Sequence, residues 1–200
     1  MTLPSFDMLA DGSALDQGAS ALLGNPGPSD HNLLGWSYDP LLTRASGAPT
    51  AGTVYLSAIY LRSSVPVARK IWWINGATGA TVTAAQNWAG LIRQDGIVLG
   101  SVGIDAKNTA GAQNATFTSA IRNLSAGLYW AALVWNGAAL PTLAKMDPAA
   151  IAAHVVGLTD VATYRFGVAA VTQTAMPAAI VTANITNPAG AIPFWAGISK

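Results

Sequence analysis

Two hundred residues suffice for one domain with a sizeable core, and the lack of cysteine excludes disulfides, thiolate metal sites and a cysteine nucleophile. A net charge of +1, with Lys and Arg scattered rather than clustered, offers no field to attract nucleic acid or an anionic membrane. Only 10% of residues are charged and none is Glu, against roughly 25% in an average soluble domain, so the surface is expected to face other protein.

Residues 1–50 stand apart from the rest. They hold five of the nine Asp and five of the eleven Pro, and the NPGPSD stretch at 25–30 is strong loop punctuation. MTLPSFDMLADG has neither a basic region nor an apolar run, so no secretory leader is expected. One short helix is predicted around Ala14 to Leu23. Leu33, Leu34, Trp36, Tyr38, Leu41 and Leu42 are too apolar for a free tail. Residues 1–50 therefore read as an extended arm that docks on its own domain or on a neighbour, with Leu33, Leu34, Trp36 and Tyr38 as its anchors.

From residue 51 to 200 the signals are β. TVYLSAIYLR and VARKIWWIN are predicted strands, parted by Ser63-Ser64-Val65-Pro66. NWAGLIR and IVLGSVGI follow as a hairpin around Gln94-Asp95-Gly96. ATFTSAI, LYWAALVWN, YRFGVAAVTQ, AAIVTANI and IPFWAGIS complete eight or nine strands. MDPAAIAAHVVG, with Asp147 as N-cap, Pro148 in the first turn and Gly157 as stop, predicts one short helix in a loop. No repeat of fixed period occurs, and no apolar run approaches the roughly 20 residues of a membrane span.

Little here points to chemistry. His31 and His154 lie in unrelated contexts, without the clustered ligands that a metal site needs. There is no nucleophile elbow and no phosphate-binding glycine fingerprint. Asp95, Asp105, Asp147 and Asp160 each have a sufficient role as turn or cap residues. The expectation is a non-enzyme with no catalytic residues, no metal and no cofactor.

The seven Trp carry more information. Adjacent strand residues point to opposite faces, so Trp72 and Trp73 cannot share one core. In LYWAALVW both alternate sets are apolar, although a strand with one wet face should be polar at every second position. Trp72, Trp73, Trp130 and Trp135 are thus candidate interface residues or, in the alternative, glycan contacts. Covered outer faces favour packing against the arm or a second subunit.

AGTVYLSAIYLR, TGATVTAAQNWAGLIRQDGIVLG, LSAGLYWAALVWNG and the closing PFWAGIS resemble a β-domain of tailed-bacteriophage virion surface proteins, of the minor tail, fibre and decoration type from actinobacterial phages. The resemblance covers residues 51–200 and not the arm. It implies an antiparallel, jelly-roll-like β-sandwich of about eight strands, presented as a trimer in the virion. The partners it implies are other copies of the chain, other virion proteins reached through the arm and, in the alternative, a host-surface glycan. It supplies no catalytic set. Nucleic acid and membrane are not expected partners.

Overall fold

The computed structural model describes residues 27–146, 165–186 and 192–200. Eight strands carry its architecture: β1 (Gly35–Trp36), β3 (Val54–Leu61), β4 (Val65–Ala77), β6 (Trp88–Arg93), β7 (Val98–Gly103), β8 (Gly111–Leu124), β9 (Gly127–Val134) and β13 (Ala196–Ser199). The first sheet has the order β1-β13-β4-β8 and the second β3-β9-β6-β7, all antiparallel. Counted along these eight strands, the orders are first-eighth-third-sixth and second-seventh-fourth-fifth. That is jelly-roll connectivity, and the protein is an all-β antiparallel sandwich.

Shorter strands decorate this frame. β2 (Thr43–Gly47) and β11 (Thr142–Met146) extend the first sheet, where β11 follows β13 along the same edge of β4. β12 (Phe166–Val168) borders β3, while β5 (Thr81–Val82) and β10 (Gly137–Ala139) form a separate ribbon. The sequence offered little sign of β1, β2, β5, β10 and β11, because two to five residues are too few to establish a period of two.

Strand alternation assigns the core. Tyr129, Ala131 and Leu133 of β9 join Tyr55, Ile59 and Leu61 of β3 and Leu91 of β6 between the sheets. Ile71 and Trp73 of β4, Phe117 of β8 and Ile198 of β13 meet them from the other side. The opposite set of β9, with Trp130, Ala132 and Val134, lies on the outer face of the second sheet. Ile180 and Ile185 cover it, with Ala169, Ala170 and Met176 packed alongside. On the outer face of the first sheet, Tyr38, Met146 and Trp195 form a third cluster with Leu33, Trp36, Leu42, Trp72 and Ile74. The fold is a two-sheet sandwich with an added apolar layer on each outside face.

Two predicted strands need correction. YRFGVAAVTQ contributes only the three residues of β12. AAIVTANI makes one single bridge, Ile97 to Ala179, and contains a 3-10 turn at Thr182–Asn184, with a second bridge from Val168 to Thr186 just after it. Its apolar side chains serve as a lid on the second sheet, a burial that imitates a strand in composition. The helix predicted at Ala14 to Leu23 and that in MDPAAIAAHVVG lie outside the described residues, save Met146, which closes β11. From Gly27 onward the segment read as an arm docks on its own domain and contributes β1 and β2 to the first sheet.

Candidate functional site

The four candidate tryptophans separate by face. Trp73 is fully buried between the sheets, and its Nε1 donates to Asn75 Oδ1 at 3.0 Å. Trp135 is likewise fully buried there, with an indole N–H that finds no partner among the described residues. Trp130 is 2% exposed beneath the lid on the second sheet. These three have no surface to give a sugar or a second subunit, which corrects the interface and glycan expectation for them. The reason is that the chain supplies its own outer layers. Trp72 alone keeps partial exposure; its Nε1 donates to Ser199 Oγ at 3.0 Å.

The arm anchors are placed against the same sheet. Leu34 donates its backbone N–H to Ile198 O at 2.8 Å and packs on the inter-sheet core. Leu33 and Trp36 pack in the outer cluster with Trp72, and the His31 and Trp36 rings lie 5.5 Å apart at 48°. Tyr38 is buried; its hydroxyl donates to Pro193 O at 2.9 Å, and its carbonyl accepts from Trp195 Nε1 at 3.0 Å. Burial pushes the Tyr38 phenol well above its ordinary range, so it stays protonated as a donor. A small crevice beside it is lined by Ser37, Ser57, Arg165 and Phe166 among others.

One end of the sandwich carries a buried amide network. Asn87, fully buried at the start of the β6 region, donates to Thr83 O and to Asp105 Oδ1, each at 2.7 Å. Its Oδ1 accepts the backbone N–H of Asn136 at 2.7 Å. Asn136 Nδ2 reaches Gln86 O at 2.7 Å and Gln173 O at 2.9 Å, so four loops are pinned together. Asn75 Nδ2 donates to Lys107 O and Thr109 O, both at 2.8 Å, which ties the β7–β8 turn to β4. Desolvation alone would raise the Asp105 carboxyl, but hydrogen bonds from Asn87 and from the Ala85 N–H hold it below the ordinary carboxylate range. Sequence reading overlooked Asn75, Asn87 and Asn136 as a unit. The only local sign was an Asn next to each of three Trp-bearing strands.

The other aspartates among the described residues are also engaged locally. Asp30 accepts the Gly27 N–H at 2.7 Å and Asp39 the Leu41 N–H at 2.8 Å. Asp95 pairs with Arg93 at 2.5 Å in the exposed β6–β7 turn, and that hydrogen bond lowers its pKa. His154, Asp147 and Asp160 lie outside the described residues. Among the described residues no three His or Asp gather as metal ligands, and no helix is long and apolar enough to cross a membrane. Among the described residues, hydrogen bonding and packing concentrate around Trp72 with its neighbours on the first sheet and at the clamped loop end.

No protein-family model matches the chain, and no curated protein does so. The class defined by the fold is the all-β jelly-roll sandwich.

Proposed function

We propose that the chain is a non-enzymatic structural protein of a phage virion, associated with the tail or a fibre or decorating the capsid. Its N-terminal segment anchors it to other virion proteins, and its sandwich oligomerises as a homotrimer. The observation that carries this reading is the scarcity of charge on the outside of the jelly roll. Along β8 the exposed positions are Gly111, Ala112, Thr116, Thr118, Ser119, Arg122 and Asn123, with one charge among them. Small neutral polar side chains lose little hydration on contact with another protein, whereas charges resist burial. The aspartates that are described serve turns and clamps, which suits a structural role. A glycan-binding reading would rest on Trp72 alone.

The test is particle assembly with a chain that lacks residues 1–26. The expected result is a folded protein that no longer incorporates. Normal incorporation of the truncated chain would overturn the anchoring role. The cut must stop short of residue 35, because removal through residue 50 would take away β1 and β2 and bare the outer cluster around Trp72.

A further inference from the structure

We propose that Asn75 and Asn136 are sites of self-catalysed deamidation, held closed in the folded chain and released by unfolding, so that opening of the sandwich becomes a one-way loss. Ten Asn occur in the chain, and these two are the ones followed by Gly. A glycine next in the chain leaves its backbone nitrogen unhindered and mobile once the fold opens.

The fold demands both members of each pair. Asn75 is 2% exposed; its Nδ2 gives its two hydrogens to Lys107 O and Thr109 O, and its Oδ1 accepts from Trp73 Nε1. A Cβ at Gly76 would fall 2.6 Å from Ser46 Cβ and 2.9 Å from Thr142 Oγ1. Asn136 is 8% exposed, and its Nδ2 is shared between Gln86 O and Gln173 O. Its backbone is fixed as well, with its N–H on Asn87 Oδ1 and its carbonyl accepting the Thr83 N–H, both at 2.7 Å. Gly137 has φ +148, and a Cβ there would collide with Thr81 O. Neither glycine can give way to a bulkier residue without displacing Ser46 or the β5 backbone. The labile pairs are built into the framework.

In the opened chain the Gly137 nitrogen, its proton taken by hydroxide, bonds to Asn136 Cγ. The Cγ–Nδ2 bond breaks, ammonia leaves and a cyclic imide closes. Water then opens the ring at either carbonyl, which leaves aspartate or isoaspartate; Gly76 and Asn75 react alike. Closure requires Cγ to turn toward the next backbone nitrogen, and in the fold the two bonds from each Nδ2 oppose that rotation. The product does not fit back. A carboxylate at 136 sets acceptor oxygens against Gln86 O and Gln173 O in a buried site, and one at 75 against Lys107 O and Thr109 O. Isoaspartate also lengthens the main chain, which disturbs the alternation of β4 beyond residue 75.

The experiment holds the purified full chain at mildly alkaline pH in water enriched in heavy oxygen, one aliquot folded and one in concentrated urea. Both are then digested in ordinary water for peptide mass analysis. Heavy oxygen should enter at Asn75 and Asn136 about a hundredfold faster in urea, because reaction from a closed site scales with the population of its open form. Asn87, fully buried in the same network but followed by Trp, is the internal control. In urea it should label about tenfold less than Asn136. A brief protease pulse on the aged folded aliquot removes unfolded molecules, and the survivors should hold about tenfold less modified Asn136 than the digested fraction. Equal rates with and without urea would overturn the protection. Equal labelling of Asn87 and Asn136 in urea would overturn the role of the glycines, and modified Asn136 undiminished among the survivors would overturn the one-way loss. Purified chain suffices, so the outcome is independent of the assembly reading.

Discussion

Trp73 and Trp135 have the same side chain and the same complete burial, yet their indole N–H groups fare differently. Trp73 Nε1 meets Asn75 Oδ1, whereas Trp135 Nε1 has no partner among the described residues. W73F would strand a buried amide oxygen, while W135F would remove an unpaired donor. The first should therefore cost about 1–2 kcal/mol more than the second by urea unfolding. Equal costs would show that the Trp73 bond contributes nothing. Asp105 gives a pH-dependent counterpart. Its pKa is lowered in the fold, so its contribution is complete above the unfolded carboxylate value of about 3.9 and is lost as pH falls through the folded value. D105N should lower stability by about 1–2 kcal/mol at neutral pH, and the gap from the parent should close as pH falls through the folded value. A gap that stays constant with pH would mean that the carboxylate charge is irrelevant.

At the scale of elements, the β6–β7 hairpin was legible because Asp-Gly is a turn signal, and the structure shows how much the turn depends on it. Gly96 has φ +92, a Cβ there would fall 2.0 Å from Ile180 O, and its own carbonyl accepts the Ile180 N–H at 2.9 Å. G96A combines backbone strain with a clash against the lid, so a loss of about 1–3 kcal/mol is expected, with faster amide exchange at residues 178–182 as the local signature. Exchange confined to the hairpin would separate the turn from the lid. AAIVTANI shows the converse. Its β-branched and apolar residues resemble a strand because a lid segment and a strand bury similar side chains, and only pairing partners distinguish them. β1 and β2 escaped notice for a related reason. Leu33 to Gly47 is apolar enough to dock, but pairing with β13 and β11 is set by partners far along the chain.

For the whole molecule, layers on both sides of the sheets explain why aromatic residues occur on both faces of β4 and β9. Two sheets enclose the main core, the lid covers the second sheet, and the segment around Trp36 and Tyr38 covers part of the first. Among the described residues nothing covers the outer face on the β8 side, which carries few charges and is where the proposed assembly is drawn. The sequence by itself determined that this is an all-β chain without cysteine, poor in charge, with strands apolar on both faces and a D-G hairpin. Alternation reports that a face is dry but carries no information about what dries it. Only the tertiary structure decided that Trp73 enters the core and Trp72 the outer cluster. That choice is made by contacts such as Trp72 with Ser199 and Tyr38 with Pro193, 127 and 155 residues apart, beyond the reach of any local pattern.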